Sequence, residues 1–379
     1  MGDAEGRTGR PTWAEVDLGA LRRNLALLRD RSPGRRVIAV VKAGAYGHGA
    51  APVARTLVES GSEMLAVATV DEARELRDAG LEVPVLLLQG LHDPADADEA
   101  LARRFVPAVG RLEQFDALEA ASGRAGTPFP VHLKFDTGMH RLGFAPEQTV
   151  DALGRASQNS RIAVEGLMSH LACADDAASS EVEAQREQFS GLLVAARDRG
   201  LSPEWLHLDN SPGVLNGPSP ATTAIRPGLA LYGADPTPAG GSGLEPVMTV
   251  VTRAIHALDL PAGARVGYGG TWKAPRPTRV LTLPIGYADG LPRSTNGFAL
   301  GLAGRRVPLV GRVSMDLCAV DVGPGLGADR GADAGAELLV FGRRAGLEIR
   351  AEELASASDT LAYEIFVRIG PRVPRSYAS

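Results

Sequence analysis

The segment VIAVVKAGAYGHG, residues 37–49, is an apolar, β-branched run that ends at a lysine and continues into closely spaced glycines. The run predicts a buried strand at Val37–Val41, and the glycines predict a turn after it. Catalytic groups of a parallel barrel lie at the C-terminal ends of its strands, so Lys42 is predicted to point into a barrel mouth. There its amine could form a Schiff base, because desolvation disfavours the charged form. The competing interpretation, a lysine that reaches solvent from a strand end, does not account for the Gly-Ala-Tyr-Gly-His-Gly that follows.

Segments of the same kind recur on both sides of this one. From Thr12 to about Gly233, short apolar runs alternate with longer amphipathic segments, which is typical of repeated βα units. The clearest helix candidates are Gly49–Ser60 and Val70–Ala79. The strand candidates are Val37–Val41, Met64–Val67, Val83–Leu88, Val131–Phe135, Val164–Met168, Trp205–Leu208 and Ala224–Leu231. This repetition favours a (β/α)8 barrel, assigned to residues 12–243, over an open sheet.

The pattern changes at about Leu244, where glycine and proline become frequent and helical periodicity fades. Short alternating segments follow at Val247–Ala257, Thr278–Ile285, Arg306–Val313 and Leu317–Val320. They predict a mainly β second domain over residues 244–379. The turn-rich stretch Pro236–Gly243 is interpreted as the linker. Residues 12–17 alternate as a strand does, and they are a candidate member of the second domain rather than of the barrel.

Composition excludes several classes of function. The 40 Lys and Arg against 45 Asp and Glu give a formal net charge of -5, so nothing favours a nucleic acid or an anionic membrane as partner. Cys173 and Cys318 are far apart and lack the close Cys or His spacing of a structural zinc site, so we expect free thiols and no metal. The N-terminal residues lack a signal-peptide apolar core, and no apolar run reaches membrane-span length, so the prediction is a cytoplasmic protein.

A second motif, VHLKFDTGMHRLG at residues 131–143, begins as a strand and turns at Gly138. This turn could deliver Arg141 to the barrel face that carries Lys42. An arginine on a solvated loop is the alternative.

Three further strand ends carry polar groups: Gly166–His170, Leu206–Ser211 and Ala224–Gly233. A single histidine such as His170 is more often structural than catalytic, and an isolated Asn-Ser is usually a turn. At successive strand ends, however, Asn210 and Ser211 together with the backbone of Gly228–Leu229 suit a phosphate, because hydroxyl and N–H donors bind anions.

Taken in order from about Pro11 to Tyr377, these motifs resemble those of the alanine racemase family. Residues 42–49 are similar to its pyridoxal-phosphate lysine motif, although the family usually has Asp or Asn where this chain has Gly44. The resemblance implies pyridoxal 5'-phosphate as cofactor and Lys42 as the lysine that binds it. It also implies that the cofactor is contacted by Tyr46, Arg141, His170, Asn210, Ser211, Arg226, Gly228, Leu229 and Tyr363. By the same resemblance Arg141 also binds substrate, and Lys134 matches a lysine that is often carbamylated, which would hold Arg141 in place.

The second domain also carries family-like segments. Arg265–Trp272 resembles the segment of the catalytic tyrosine, here Tyr268, although a surface aromatic in a loop is an even alternative. Val310–Asp316 implies that the Met315 N–H binds the substrate carboxylate. Tyr363 fits a core tyrosine of a terminal helix equally well.

The resemblance therefore implies an amino-acid racemase that interconverts L- and D-alanine and supplies D-alanine for cell-wall peptidoglycan. Racemisation needs an acid-base group on each face of Cα, here Lys42 and Tyr268. The family's tyrosine comes from a neighbouring subunit, which implies a homodimer with shared active sites. Arg226, which by resemblance faces the cofactor's pyridine nitrogen, argues against a barrel decarboxylase, because those enzymes have an acid there. The second domain argues against a non-enzymatic vitamin B6 carrier. A racemase of serine or another small amino acid in a specialised pathway is the alternative substrate assignment.

Overall fold

The structure, a computed structural model, describes residues 10–176, 178–237, 240–324 and 332–379. These residues form two compact units. The barrel unit is Leu21–Glu245, and the β unit joins the N-terminal segment through Ala20 to Pro246–Ser379. Of the expected linker, Pro238 and Ala239 lie outside the described residues, as does the expectation about a signal peptide at residues 1–7.

The strands are named here in chain order. They are β1 Thr12–Asp17, β2 Arg36–Val40, β3 Met64–Val67, β4 Val85–Leu87, β5 Phe105–Val109, β6 Phe129–Lys134, β7 Ile162–Met168, β8 Trp205–His207, β9 Ala224–Ile225, β10 Met248–Arg253, β11 His256–Leu260, β12 Arg265–Val266, β13 Trp272–Lys273, β14 Thr278–Leu283, β15 Ala299–Leu302, β16 Arg305–Val310, β17 Cys318–Gly323, β18 Glu337–Arg344, β19 Leu347–Ile349 and β20 Arg375–Ala378.

The helical elements follow the same convention. They are α1 Leu18–Asp30, α2 Lys42–Tyr46, α3 Ala50–Glu59, α4 Val70–Asp78, α5 Ala97–Ala102, α6 Gln114–Ala125, α7 Thr149–Ser157, α8 Ser180–Arg197, α9 Ser211–Leu215, α10 Ala351–Ser356 and α11 Ala362–Arg368. Short 3-10 turns occur at Pro94–Asp96, Pro146–Gln148, Leu229–Tyr232 and Tyr268–Gly270. Measured for length and apolar character, each helix in the described ranges falls short of what a membrane crossing needs.

The barrel unit contains a closed barrel in which β2 to β9 follow one another around the ring, all parallel. This confirms the predicted barrel. Residues of β2, β3, β4 and β5 are buried almost without exception, because parallel barrel strands are covered on both faces. The sequence prediction missed β5, whose central Pro107 is unusual within a strand. It also extended β9 too far: the strand stops at Ile225, before Pro227 and Gly228 turn the chain.

The β unit contains a ten-stranded sheet in the order β11-β14-β17-β16-β15-β18-β10-β1-β20, with β19 paired to β18, and a separate β12-β13 hairpin. Its pairs are antiparallel except for β1 with β20. The N-terminal strand β1 pairs with β10, so that Thr12 lies opposite Thr252. This confirms a mainly β C-terminal domain.

Candidate functional site

Lys42 lies two residues beyond the end of β2 and is half-buried. Burial lowers the pKa of its amine below the usual lysine value, and the positive charges of Arg141 and Arg226 lower this pKa further, against an opposing effect of Glu72. A lowered pKa increases the neutral fraction of the amine at a given pH. Lys42 therefore has the electrostatic surroundings of a nucleophilic lysine.

The segment after Lys42 is a turn of left-handed helix. Five consecutive residues have positive φ: Ala43 at 53°, Gly44 at 62°, Ala45 at 54°, Tyr46 at 52° and Gly47 at 77°. Backbone bonds close the turn, from Ala45 N–H to Val41 O at 2.8 Å and from Gly47 N–H to Ala43 O at 2.9 Å. This conformation costs about 1–2 kcal/mol for each residue with a Cβ.

The left-handed turn explains why Gly44 can stand where the family usually has Asp or Asn. Asn and Asp are among the side chains that best tolerate positive φ, and glycine has no steric penalty there. A Cβ built on Gly44 meets no atom within 4 Å, so the position is limited by its backbone conformation and not by space. Glycine, Asn and Asp are therefore the residue types that this backbone conformation accepts at the lowest cost.

The side chain of Tyr46 returns to the barrel and lies against Gly228. A Cβ on Gly228 would be 2.5 Å from the Tyr46 hydroxyl, so only glycine lets the phenol approach this backbone. The Tyr46 ring stacks on Tyr232 at a centroid distance of 4.8 Å, and the Tyr232 hydroxyl donates to Val40 O at 2.9 Å. Tyr46 is therefore held against the segment that follows β9.

Ser211 lies next to Gly228, on which Tyr46 packs. Its buried Oγ accepts hydrogen bonds from the backbone N–H groups of Gly228, at 2.9 Å, and Ala230, at 3.1 Å. The structure thus brings together Ser211, Gly228 and Tyr46, a cluster whose two hydroxyl groups can donate to an anion while the Gly228 N–H donates to Ser211 Oγ. We call these three residues the anion cradle. Leu229 follows as a buried residue of the 3-10 turn.

Asn210 caps α9. Its Oδ1 accepts from Gly213 N–H at 3.2 Å, and its Nδ2 donates to Leu171 O at 3.1 Å. The Asn210 side chain thus orients the segment that carries Ser211.

Arg226, 3% exposed, is held between two histidines. Its guanidinium donates to Nδ1 of His170 at 2.8 Å, to Nδ1 of His207 and to Ser169 O at 2.7 Å. A guanidinium only donates, so Nδ1 of each imidazole accepts and the proton of the neutral ring is on Nε2. Burial and the nearby Arg226 charge hold the pKa values of both histidines well below the usual value. Burial also lowers the pKa of Arg226, to about 10, so it remains a cation at neutral pH.

The chain of rings extends to a residue that the sequence analysis did not assign. His207 Nε2 lies 2.8 Å from Nδ1 of His132, which is fully buried, and burial lowers the pKa of His132 to about 3. The ring of His132 packs on Gly166, where a Cβ would approach its Cγ to 2.5 Å. His132 is two residues from Lys134 on β6 and so shares its face, which is the one sequence signal for it.

Lys134, 8% exposed, ends β6. Burial, followed by the charges of Arg226 and Arg141, lowers the pKa of its amine to about 8. Arg141 follows on an exposed loop, which is closed by a hydrogen bond from Phe144 N–H to Lys134 O at 2.8 Å. Because the charge of Arg141 acts on both Lys42 and Lys134, the structure brings these three cations to one end of the barrel.

Tyr268 and Met315 belong to the β unit and are both exposed, at 72% and 53%. The turn that carries Tyr268 packs on Gly311 and Arg312. A Cβ built on Gly267, the residue before Tyr268, would lie only 3.3 Å from the Arg312 backbone nitrogen. Arg312 begins the loop that carries Met315, so the two candidate residues lie on neighbouring loops of this unit.

Buried Asp289 supports the loop that carries Met315. It accepts from Gly286 N–H at 2.9 Å and from Arg10 Nη2 at 2.9 Å, and it pairs with Arg372 at 3.4 Å. Arg10 also donates to Asp316 O at 3.1 Å, next to Met315. The exposed position of Met315 is therefore well supported.

Tyr363, in α11, is 37% exposed. The alternative that it is an ordinary core tyrosine is therefore wrong.

Comparison with known proteins gives a consistent result over both units. Residues 16–236 match the family model "Alanine racemase, N-terminal domain", and residues 247–377 match "Alanine racemase, C-terminal domain". An alanine racemase of Streptomyces coelicolor is 41% identical, with 97% of this chain and 95% of that protein covered.

Solved structures of alanine racemases are also similar to this chain. The crystal structure of alanine racemase from the D-cycloserine producing Streptomyces lavendulae is 36% identical, with a TM-score of 0.92 and 98% of each chain covered. The alanine racemase of Bartonella henselae with covalently bound pyridoxal phosphate is 27% identical, with a TM-score of 0.88 and coverage of 97% of this chain and 99% of that one.

Proposed function

The chain belongs to the alanine racemase family, and on this premise we propose that it interconverts L- and D-alanine with pyridoxal 5'-phosphate. The observation that carries the proposal is the barrel end, where the half-buried amine of Lys42 shares one set of strand ends with the anion cradle and the buried cation Arg226. Its product would be D-alanine for cell-wall peptidoglycan.

The residues present fit the proposed cofactor. Lys42 supplies an amine of lowered pKa for covalent attachment, as the Bartonella henselae protein has covalently bound pyridoxal phosphate. The anion cradle would hold the phosphate, with Leu229 and Tyr363 as further proposed contacts. When bound, the cofactor withdraws electrons from Cα of the amino acid and so makes its proton more acidic.

Proton exchange at Cα then requires one acid-base group on each face. We assign Lys42 to one face and Tyr268 to the other. Arg226 is a fixed cation whose histidine partners stay neutral, so it opposes protonation of a ring nitrogen placed against it. This limits electron withdrawal and favours return of the proton to Cα over side reactions.

Substrate binding is assigned to Arg141 and to the backbone N–H of Met315. A carboxylate matches both donors. We further propose that Lys134 reacts with carbon dioxide, because its lowered pKa leaves more of the amine neutral. The neutral nitrogen would bond to the carbon of carbon dioxide and release one proton, so that the product is a carbamate anion, which would be stabilised by Arg141 and Arg226.

A homodimer with shared active sites is proposed because Tyr268 and Met315 are exposed on the β unit, where a second copy could use them. The proposed location is the cytoplasm. The two cysteines, Cys173 and Cys318, are free thiols, as expected for a reducing compartment.

The deciding experiment follows deuterium incorporation at Cα of L- and D-alanine in deuterated water, with optical rotation recorded over time. L- and D-serine are run in parallel. Exchange with loss of rotation for both alanine enantiomers, and slower exchange for serine, is the expected result. Exchange without loss of rotation would exclude racemisation, and faster turnover of serine would overturn the substrate assignment.

Two variants test the assigned bases. Lys42→Ala should lose the cofactor absorbance and all turnover, whereas Lys273→Ala, at an exposed lysine, should keep both. Tyr268→Phe should keep the absorbance and lose conversion most severely from one enantiomer, with Tyr377→Phe as its exposed control. Full turnover by Lys42→Ala or Tyr268→Phe would refute the corresponding assignment.

A further inference from the structure

Glu72 connects the turn after Lys42 to the next βα unit of the barrel. One carboxylate oxygen accepts from Ala43 N–H at 2.6 Å, and the other accepts from Ala68 N–H at 2.7 Å and Thr69 N–H at 3.3 Å. Thr69 and Glu72 form a capping box at the start of α4. The same carboxylate therefore caps the start of α4 and accepts a hydrogen bond from the residue after Lys42.

Ala43 is where the left-handed turn begins, and this makes the contact important. An isolated turn of this hand is unfavourable for residues with a Cβ, so surrounding structure must hold it. The Ala43 N–H to Glu72 bond is a charge-assisted hydrogen bond between segments that are 29 residues apart. It links the conformation of the turn, and thus the direction of Lys42, to the position of α4.

Glu72 also sets the charge around Lys42. The charged groups that act on this amine are the cations Arg141 and Arg226, which lower its pKa, and the carboxylate of Glu72, which raises it. The amines of Lys42 and Lys134 also repel each other's positive charge, as the lowered pKa of Lys134 reflects. Among these groups Glu72 alone favours the protonated amine.

We propose that Glu72 is a positioning residue for Lys42: it clamps the left-handed turn through Ala43 N–H and balances the cations at the barrel end. Its relevance to catalysis rests on the proposed function. The clamp and the charge effect are properties of the chain alone, and they can be measured without turnover.

The experiment uses the full-length protein, treated with hydroxylamine to free Lys42 of any bound aldehyde. The chain has three lysines, Lys42, Lys134 and Lys273, so each can be followed by mass spectrometry after amine acetylation with trace anhydride. The labelling rate is measured as a function of pH. Lys273 is exposed and serves as the internal reference.

Glu72→Gln tests the charge, because its amide oxygen can still accept from Ala43 N–H, while its NH2 group replaces the oxygen that accepts from Ala68 and Thr69 N–H. The labelling midpoint of Lys42 should move to lower pH, and labelling below the midpoint should become about threefold faster, the size expected for a solvent-screened interaction between two charges. Lys273 should be unchanged. Glu75→Gln, on the same helix, is the matched control and should shift neither lysine. An unchanged Lys42 midpoint in Glu72→Gln would overturn the charge effect.

Glu72→Ala tests the clamp by amide hydrogen exchange. Exchange at Ala43 should become about tenfold faster than in Glu72→Gln, because alanine offers no acceptor in place of the Gln amide oxygen. Equal exchange in the two variants would overturn the clamp. If Glu72→Ala does not fold, comparing Ala43 exchange between wild type and Glu72→Gln decides the point, since a clamp requires faster exchange in the variant with the weaker, neutral acceptor.

Discussion

Substitution of Gly228 by alanine should disrupt the anion cradle from within the barrel. The added methyl group would lie 2.5 Å from the Tyr46 hydroxyl and 3.1 Å from its ring carbon Cζ. Ordinary contact begins at about 3.5 Å, so the phenol would have to retreat by about 1 Å. Tyr46 is buried and stacked on Tyr232, whose own hydroxyl is bonded to Val40 O, so this retreat is opposed on the far side of the ring.

Overpacking of this kind typically costs about 1–3 kcal/mol. For a loss of about 2 kcal/mol in a protein unit of this size, Tm should fall by roughly 4–8 °C. The measurement is thermal unfolding of the cofactor-free protein, followed by titration of each variant with pyridoxal phosphate. Affinity for the cofactor should fall as well, because the Tyr46 hydroxyl has been displaced from the cradle.

Two further variants test whether the loss of stability comes from the contact between the new methyl group and Tyr46. Gly154→Ala adds a methyl group in α7, where no atom lies within 4 Å, so it should leave Tm unchanged or slightly raised. Gly228→Ala combined with Tyr46→Phe removes the nearest clashing atom, so the destabilisation by alanine should be smaller in that background by about 0.5 kcal/mol or more. An unchanged Tm for Gly228→Ala, or the same loss in both backgrounds, would contradict the predicted clash with the Tyr46 hydroxyl.

Two other predictions concern the lysine turn and the second lysine. Gly44→Asn should reduce the free energy of unfolding in urea by less than about 1 kcal/mol, because Asn tolerates positive φ, whereas Gly44→Val should reduce it by about 2 kcal/mol; equal losses would contradict the left-handed turn. With a pKa of about 8, roughly half of Lys134 is neutral at pH 8 but only about one hundredth at pH 6. A carbamate signal in carbon-13 NMR with labelled bicarbonate should therefore weaken as the pH falls from 8 to 6 and be absent from Lys134→Gln; a signal that survives that substitution would come from another amine.

Sequence periodicity predicted most of the barrel because each strand of a parallel barrel is a short apolar run with its own local signal. Met64–Val67 coincides with the observed β3, and Val70–Ala79 differs from α4 only at its last residue. The strand Phe105–Val109 was missed because Pro107 weakens the local signal, while its neighbours on both sides still pair with it. The closed barrel thus accepts a proline-containing strand that its local sequence does not predict.

Candidate residues at strand ends were also predictable, since a lysine, an arginine or a hydroxyl group after an apolar run can be recognised in the sequence alone. Glu72 could have been noticed through its capping box with Thr69, but that pattern says nothing of Ala43. In the same way, the sequence marks His132 and His207 only as residues of buried strands. The structure shows that His132 is hydrogen-bonded to His207, and that His207 is hydrogen-bonded to Arg226.

By itself, the amino-acid sequence determined the alternation of strands and helices, the family, and the types of reactive groups at the strand ends, because these depend on neighbours along the chain. Three features follow only from the folded chain: the left-handed conformation after Lys42, the contact of Tyr46 with Gly228 and the neutral histidines around Arg226. Each of these depends on burial and on hydrogen bonds between residues far apart in sequence, and such pairings leave no periodic pattern from which they could be read.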